Sequence, residues 1–204
     1  MGLYERFLLP PILNFVMKNK EMMRQRQQLV PEAEGRVLEV GIGSGLNLPF
    51  YGPKVERLWG VDPSLELQRY ARKRMEGRPF PIELLAHPAE EIPLESHSVD
   101  TVVSTWTLCT IPDVHRALGE LRRVLKPEGR LLFIEHGRSP EPRVERLQDR
   151  LTPAWKRIGG GCHLNRKVDA LLEEGGFRIE RLETFYLHGP RPMSYTYRGS
   201  ARPA

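Results

Sequence analysis

Apolar and polar positions along this 204-residue chain predict strands and helices in alternation. Short apolar runs typical of buried strands lie near 36–41, 57–62, 82–86, 99–104 and 130–136. Helices are predicted near 46–51, 65–76, 113–125, 143–157 and 165–175. Strands that alternate with helices are typical of a parallel sheet with helices on both faces. The pattern therefore predicts an α/β fold.

The C-terminal part of the chain follows a different pattern. Residues 177–185 alternate apolar and polar side chains, and Tyr195 and Tyr197 continue that period after the turn-forming stretch 189–192. A period of two with an intervening turn is typical of paired strands. We therefore expect a terminal antiparallel strand pair.

The N-terminal segment 1–30 is predicted to be helical, with Pro10 and Pro11 breaking or restarting the helix. Three interpretations are compatible with its apolar residues and the basic residues that follow them. The segment packs on the sheet with a basic exposed face, or it forms a lid over a site. It could also make peripheral contact with a membrane, because apolar bulk beside Lys18 and Lys20 suits anionic lipid.

A glycine-rich turn follows the first predicted strand. The apolar run 37–40 leads into Gly41, Gly43 and Gly45, and the next apolar run ends at Asp62. In open α/β sheets, ligands lie outside the carboxyl ends of the strands. A carboxylate at the end of the second strand can accept both hydroxyl protons of a ribose. The residues indicate an adenosine-containing ligand.

The glycine spacing narrows the choice of ligand. A dinucleotide fingerprint has the spacing G-x-G-x-x-G, but Leu46 occupies the third glycine position here. Because of this, a nicotinamide oxidoreductase is a disfavoured alternative. No Gly-Lys-Ser/Thr follows, which excludes a P-loop. Glu39 lies inside the turn, where it would repel a pyrophosphate and attract a cationic group.

Four segments in order resemble the motifs of class I S-adenosylmethionine-dependent methyltransferases: 39–45, 60–64, 89–104 and 123–131. The resemblance covers residues 35–138 as a cofactor-binding core, with 139–204 as acceptor-side helices and terminal strands of a single domain. It implies a Rossmann-like, doubly wound, mostly parallel seven-stranded sheet. It also implies S-adenosyl-L-methionine as cofactor and S-adenosyl-L-homocysteine as product. The implied cofactor-binding residues are Glu39, Gly41, Gly43, Gly45, Asn47, Asp62, Pro63, Ala89, Glu90, Thr105 and Trp106.

Two positions depart from the family pattern. The acidic residue that often precedes the Ala-Glu pair is replaced by Pro88, so we expect backbone groups around Ala89 to recognise the adenine. The usual Pro-Gly-Gly turn before the fifth strand is Pro127-Glu128-Gly129, which still supplies one glycine.

The composition of the chain limits its possible partners, its location and its metal sites. A formal charge of +5, spread along the chain, does not indicate nucleic-acid binding. No apolar run is long enough to span a membrane and no signal peptide is evident, so we expect a cytoplasmic protein. Cys109 and Cys162 do not form a disulfide framework, and no Cys-x-x-Cys or paired-His spacing indicates a metal site. The oligomeric state stays open.

Candidate acceptor-side residues follow the fourth and fifth strands and the helix after them. His136 is a candidate base or acceptor-orienting group, and the alternative is a histidine satisfied by loop hydrogen bonds. A glycine triplet at 159–161 gives backbone freedom just before further polar side chains. The remaining acceptor-side candidates are Tyr4, Trp155, His163, Asn165 and Arg166.

Simpler interpretations exist for several of these residues. Asn165 is also a candidate N-cap for the next helix, with Arg166 on a solvated face. Cys109 is interpreted as a small buried hydrophobe, and Thr105 and Trp106 are alternatively ordinary loop-packing residues. A Cys162–His163 catalytic dyad is disfavoured, because adjacent residues rarely face each other.

Three short segments, 106–109, 135–137 and 161–164, resemble a narrower branch, the alkyl thiol methyltransferases and their soluble bacterial relatives. The chain is less similar to phosphatidylethanolamine N-methyltransferases and quinone-ring methyltransferases. The branch implies a small-molecule acceptor, with a thiol first and a lipid amine or a quinone second. A non-catalytic S-adenosylmethionine-binding protein on the same fold is the alternative from another class.

Overall fold

A seven-stranded sheet organises residues 4–204, which this computed structural model describes except for the side chains of Glu5 and Arg6. The strands are β1 (Gly35–Val40), β2 (Val55–Val61), β3 (Ile82–Leu85), β4 (Val99–Thr105), β5 (Leu125–His136), β6 (Phe177–Tyr186) and β7 (Tyr195–Pro203). The helices are α1 (Leu9–Val16), α2 (Lys20–Leu29), α3 (Leu65–Met75), α4 (Val114–Val124), α5 (Pro142–Ile158), α6 (Val168–Glu174) and α7 (Arg191–Ser194).

The strand order is β3-β2-β1-β4-β5-β7-β6. Strands β1 to β5 pair in parallel, with Val37 between Leu58 of β2 and Thr101 of β4. Strand β7 pairs antiparallel with both β5 and β6. The predicted seven-stranded sheet with a terminal antiparallel pair is therefore confirmed. Its strand order reverses between β1 and β4, where open sheets bind ligands.

Apolar side chains form a separate core on each face of the sheet. Successive residues of one strand alternate between the cores: Leu132 and Ile134 belong to one, and Leu131 and Phe133 to the other. Helices α4 and α6 cover the face with Phe133, whereas Leu29 of α2 packs on the opposite face. This arrangement confirms helices on both faces, and it explains why central strands have few polar residues.

Two predicted helices differ from those observed. Region 46–51 contains only a 3-10 turn, Leu48–Phe50, because Gly45 and Gly52 leave room for about one turn. Region 165–175 becomes helical only at Val168. The carbonyls of Asn165 and Arg166 accept hydrogen bonds from Arg138, at 3.1 and 2.8 Å, which holds them outside the helix.

The N-terminal segment consists of a π-helical turn, Tyr4–Leu8, followed by α1 and α2. Pro10 and Pro11 lie in the first turn of α1, where a missing backbone N–H costs nothing because the helix has no acceptor for it. The predicted restart of the helix at these prolines is therefore observed. Among residues 4–204, no helix combines the length and the apolar character that crossing a membrane requires.

Candidate active site

A cavity of about 790 Å³ lies at the carboxyl ends of β1, β2 and β4. This volume is within the range of cofactor and ligand sites. The turns after these three strands line it, together with parts of the N-terminal helices and of the glycine triplet. The lining includes Leu9, Pro10, Leu13, Met17, Arg26, Glu39, Gly41, Gly43, Asn47, Asp62, Pro63, Pro88, Ala89, Glu90, Thr105, Trp106, Thr107, Thr110, Gly159 and Gly160.

The glycine turn places bare backbone against the cavity. Gly41 has a φ of +65°, and a Cβ on it would lie 2.3 Å from the side chain of Thr107. Gly43 has a φ of +51°, and the nearest atoms to such a Cβ lie at 3.8–3.9 Å, which is ordinary contact. Gly45 packs beneath the turn, where a Cβ would lie 3.0 Å from Ala71. Close backbone approach to a ligand explains Gly43, and packing explains the other two.

Asp62 ends β2 as a buried carboxylate with two backbone partners. Its Oδ2 accepts a hydrogen bond from the Gly43 N–H at 3.0 Å, and its Oδ1 accepts one from the Ser64 N–H at 2.8 Å. Burial raises the pKa of Asp62 to about 6, although both hydrogen bonds oppose that shift. Each oxygen retains a further acceptor site, so the two together fit a ribose diol.

Glu39 is the most completely enclosed acid of the cavity wall. Its two oxygens accept hydrogen bonds from Asn47 Nδ2 at 2.9 Å and from the Tyr51 hydroxyl at 2.8 Å. Burial raises the pKa of Glu39 to about 7, against these two bonds and the charge of Arg26. A cationic ligand group would restore the ionised carboxylate.

The hydrogen bonds of the Asn47 side chain indicate whether S-adenosyl-L-methionine fits the cavity. Its Nδ2 is shared between Glu39 and the Thr105 hydroxyl, whereas its buried Oδ1 has no hydrogen-bond partner among residues 4–204. An unpaired buried acceptor is costly, so it marks a place for a donor. The amino group of S-adenosyl-L-methionine is such a donor, and it is cationic, as Glu39 requires. The residues present therefore fit this cofactor.

The carboxylate of Glu135 holds the loop after β4 in place through hydrogen bonds. It accepts hydrogen bonds from Ser104 Oγ at 2.6 Å, from the Thr107 N–H at 2.9 Å and from the Leu108 N–H at 3.1 Å. Burial raises the pKa of Glu135 to about 7, against these bonds. The sequence analysis did not predict this role; the available signal was an acid directly after the apolar run 131–134.

Trp106, held by this loop, has a φ of +51° and forms one side of the cavity. The guanidinium of Arg26 lies 4.7 Å from its ring centroid. Burial lowers the pKa of Arg26 to about 10, so it stays charged at neutral pH. No periodicity in the sequence distinguishes Arg26 from the exposed basic residues of α2.

The expected adenine side is formed by the segment after β3. Pro88 and Ala89 line the cavity, and Ala89 is buried. Glu90 also lines it and accepts a hydrogen bond from the Asp113 N–H at 3.1 Å through Oε1. Pro63, after Asp62, lines the cavity while remaining exposed. Every predicted cofactor residue except Gly45 therefore borders this cavity.

Apolar side chains from α1 and from Met17, which follows it, also line the cavity. We call Leu9, Pro10, Leu13 and Met17, together with Gly159 and Gly160 of the glycine triplet, the α1 wall. Tyr4 does not line the cavity, but its hydroxyl donates a hydrogen bond to the Ile158 carbonyl at 2.7 Å and so joins the two parts of this wall. Sequence reasoning expected the segment here as a lid without identifying these side chains.

The acceptor-side candidates His163, Asn165 and Arg166 do not line the cavity. His163 Nδ1 lies 3.1 Å from the Cys109 carbonyl, and Arg166 donates to the carbonyls of Leu108 and of Ile111. Asn165 donates to Asp149 at 2.7 Å and is not the N-cap of α6, which is Lys167. Their direct contact with an acceptor stays a prediction.

His136 and Trp155 also lie behind the wall. His136 Nε2 is 3.0 Å from Cys162 Sγ, and Trp155 packs against Cys109 and Cys162. Cys109 is buried as expected, and Cys162 contacts His136 rather than its neighbour His163. Neither His136 nor Trp155 borders the cavity. The role of His136 as base therefore stays a prediction.

Comparison with known proteins agrees with this geometry. The methyltransferase domain model matches residues 38–133. Thiol S-methyltransferase TMT1B of Rattus norvegicus is 36% identical over 171 residues, which cover 81% of this chain and 70% of that protein. Phosphatidylethanolamine N-methyltransferase of Cereibacter sphaeroides is 36% identical over 104 residues, covering 50% of this chain and 51% of that protein.

A solved structure shows the same fold. A SAM-dependent methyltransferase from Thermotoga maritima superposes with a TM-score of 0.72 at 23% identity, covering 98% of each chain. The extended similarity to TMT1B, together with a site that fits the cofactor, shows that this chain belongs to the class I S-adenosylmethionine-dependent methyltransferases, in the branch that contains the thiol S-methyltransferases.

Proposed function

We propose that this methyltransferase methylates the sulfur of a small apolar thiol. The observation that carries the proposal is the composition of the cavity lining, which contains charged and backbone groups around Glu39 and Asp62 and apolar side chains that include Leu9, Leu13 and Met17. We assign the first group to the cofactor and call it the cofactor half. We assign the second group, the acceptor half, to an acceptor with little polar surface.

The ease with which the acceptor reaches its reactive protonation state supports a thiol over an amine. S-adenosyl-L-methionine, when bound, supplies an activated methyl carbon, so the protein mainly positions the acceptor and excludes water. No imidazole or lysine belongs to the cavity lining among the described residues, which leaves the acceptor to ionise without such a base. For a thiol as acidic as cysteine, with a pKa near 8.5, the nucleophilic anion at pH 7 is about a hundred times more populated than the neutral form of an alkyl amine with a pKa near 10.4.

Arg26 adds to this preference. Its buried guanidinium lines the cavity beside Trp106, and its Nε has no hydrogen-bond partner among residues 4–204. A fixed positive charge stabilises a thiolate and disfavours an ammonium group. Arg26 would therefore lower the pKa of a bound thiol.

The test compares acceptors that differ only in the reacting group. Hexanethiol, hexylamine and hexanol are each incubated with methyl-labelled S-adenosyl-L-methionine, and methylated products are quantified by mass spectrometry. We expect product from the thiol alone, and more from hexanethiol than from 2-mercaptoethanol. An Asp62→Ala variant provides the blank. Faster methylation of hexylamine than of hexanethiol would contradict the proposal and favour the lipid-amine alternative.

The quinone-ring alternative is tested in a separate assay. The same assay with a hydroquinone tests transfer to carbon, and product there without product from any thiol would replace the proposal. A lysate incubated with the labelled cofactor and fractionated into lipid, aqueous and precipitated material then places the natural acceptor. Label confined to the precipitate would contradict a small-molecule acceptor altogether.

We further propose that α1 delivers apolar acceptors from an anionic lipid surface. Leu8, Ile12, Phe15 and Val16 are exposed, Phe15 by 80%, and the apolar cavity wall is on the same helix. Exposed Lys18, Lys20 and Arg24 follow directly. Apolar side chains next to basic ones match an anionic membrane surface.

Vesicle co-sedimentation tests this second proposal. We expect binding to phosphatidylglycerol vesicles, weakened by salt and by Phe15→Ser, and weaker binding to phosphatidylcholine. Leu182→Ser, an exposed apolar residue on β6, is the matched control and should leave binding unchanged. Equal loss of binding in both variants, or no binding to either vesicle, would contradict a role of α1 at the membrane.

A further inference from the structure

Three potential metal ligands from distant parts of the chain meet behind the acceptor side of the cavity. Cys109 follows β4, His136 ends β5, and Cys162 follows α5. Their ligand atoms all lie within 4.8 Å of one another, and His136 Nε2 is 3.0 Å from Cys162 Sγ. All three residues are buried, with exposures of 3, 9 and 9%. We call these three residues the Cys-His cluster.

The geometry is close to that of a zinc site. A tetrahedral Zn²⁺ has Zn–S distances near 2.3 Å and Zn–N distances near 2.0 Å, which places its ligand atoms about 3.5–4 Å apart. The atoms of the Cys-His cluster would therefore need to shift by about 1 Å or less. Three protein ligands leave a fourth position for water, and Trp155, Leu164 and Met193 pack around the sulfurs.

Charge balance also suits a divalent ion. Two thiolates and a neutral imidazole neutralise Zn²⁺, so the loaded Cys-His cluster carries no net charge into its buried surroundings. The nearest charged side chains, Glu135 and Arg166, have opposite signs and are held by other hydrogen bonds. Thiolate and imidazole ligands favour zinc over magnesium or calcium.

We propose that Cys109, His136 and Cys162 bind one Zn²⁺ ion that ties together the segments behind the acceptor side of the cavity. Thr107 and Thr110 lie on the loop of Cys109, and Gly159 and Gly160 precede Cys162, and all four line the cavity. An ion at the Cys-His cluster fixes both loops to the end of β5. None of its ligands borders the cavity, so the ion acts by fixing these two loops and does not contact the acceptor.

This proposal reverses the expectation from sequence that no metal is bound. That expectation rested on short-range spacing such as Cys-x-x-Cys. Here Cys109 and Cys162 are on loops that only the folded sheet brings to His136. Ligands this far apart in sequence have no local motif.

The first test uses the whole untagged wild-type chain, produced with zinc and then dialysed. We expect about one zinc per chain by elemental analysis. X-ray absorption should show two sulfur ligands near 2.3 Å and lighter ligands near 2.0 Å. Replacement by Co²⁺ should give a thiolate-to-metal charge-transfer band. A folded wild-type chain without zinc, or zinc surrounded only by oxygen and nitrogen, would overturn the proposal.

Single substitutions then locate the ion. Cys109→Ser and His136→Gln should each weaken zinc affinity by more than roughly 100-fold, since loss of even an outer partner commonly costs 10- to 100-fold. They should also abolish the zinc-dependent rise in unfolding temperature. His115→Gln, an exposed histidine on α4, is the matched control and should keep full zinc content.

Equal zinc content in wild type and in both variants would place the ion elsewhere and overturn the proposal. A zinc-free wild type that forms a Cys109–Cys162 disulfide on peroxide treatment would instead identify a thiol redox pair. The spectroscopic measurements on wild type need no variant, so they decide the question even if a variant does not fold.

Discussion

The two halves of the cavity are built in different ways. The cofactor half uses backbone groups and buried acids: Gly43 presents bare main chain, and Asp62 and Glu39 are held by hydrogen bonds of 2.8–3.0 Å. The acceptor half uses apolar side chains of α1 and the backbone of the glycine triplet. Backbone groups and hydrogen-bonded acids are suited to one particular ligand. Apolar side chains, in contrast, can be replaced by others of different size, which changes the acceptor that fits.

Removing the ribose carboxylate should have the largest effect. Asp62→Ala should weaken S-adenosyl-L-homocysteine binding roughly 100-fold, because two hydrogen bonds to a charged group are together worth about 3 kcal/mol. Isothermal titration calorimetry measures this change. Glu56→Ala, an exposed acid at the other end of β2, should leave affinity unchanged. Wild-type affinity in Asp62→Ala would refute the ribose assignment.

Filling the glycine turn should cost nearly as much. Gly41→Ala should lower the free energy of unfolding by about 3 kcal/mol, because its Cβ meets Thr107 at 2.3 Å and its φ is +65°. Gly77→Ala has a similar φ of +71° but no atom within 4 Å, so about 1 kcal/mol is expected from strain alone. Urea unfolding of both variants measures the difference. Equal losses would show that steric room at Gly41 is unimportant.

The buried acids should make stability and cofactor affinity respond to pH in opposite directions. Folding raises the pKa of Glu39 from 4.5 to about 7 and that of Asp62 from 3.8 to about 6. Protonation of these two acids therefore stabilises the folded ligand-free protein, and this stabilisation is fully present below about pH 4. As the pH rises to 7, the free energy of unfolding falls, by on the order of 3 kcal/mol for Glu39.

Cofactor affinity should instead rise about tenfold between pH 6 and 8, since a cationic ligand favours ionised Glu39. Thermal unfolding across this range, with and without S-adenosyl-L-methionine, measures both slopes. Glu39→Gln should flatten the affinity slope. If stability and cofactor affinity of the wild type changed in the same direction with pH, a charge interaction between Glu39 and the cofactor would be contradicted.

The acceptor half should show the smallest and most selective effect. Leu13→Ala should raise the KM for an apolar thiol by about five- to tenfold, equivalent to roughly 1 kcal/mol of lost apolar contact, while cofactor affinity stays the same. Ile12→Ala, the exposed neighbour on α1, should change neither value. A loss of cofactor affinity in Leu13→Ala would show that the two halves are not separable.

Local patterns and the family resemblance predicted most of the residues that line the cavity at the strand ends. Gly41, Gly43 and Asp62 are close in sequence to these strand ends, so their positions follow from short segments of sequence. The same reasoning predicted Thr105 and Trp106 after β4. It failed for Glu135 and Arg26, because an acid in a strand and an arginine in a helix have no local feature that reveals what they contact.

The acceptor half was predicted less well for a related reason. The glycine triplet and the N-terminal segment were both expected near an acceptor, and both supply cavity-lining residues. The individual polar candidates after the triplet do not border the cavity. His163 and Arg166 use their side chains on loop carbonyls instead, which sequence reasoning could not anticipate.

The alternation of strands and helices, the glycine turn and the carboxylate after β2 follow from local sequence, because each depends on residues a few positions apart. The side chains that close the cavity, and those that meet outside it, are brought together only by the folding of the whole chain. Leu13 lies in the same cavity lining as Gly41, and Cys109 lies beside Cys162, only after the sheet has aligned segments distant in sequence. Contacts between distant segments depend on sheet order and helix placement, and no local pattern encodes them.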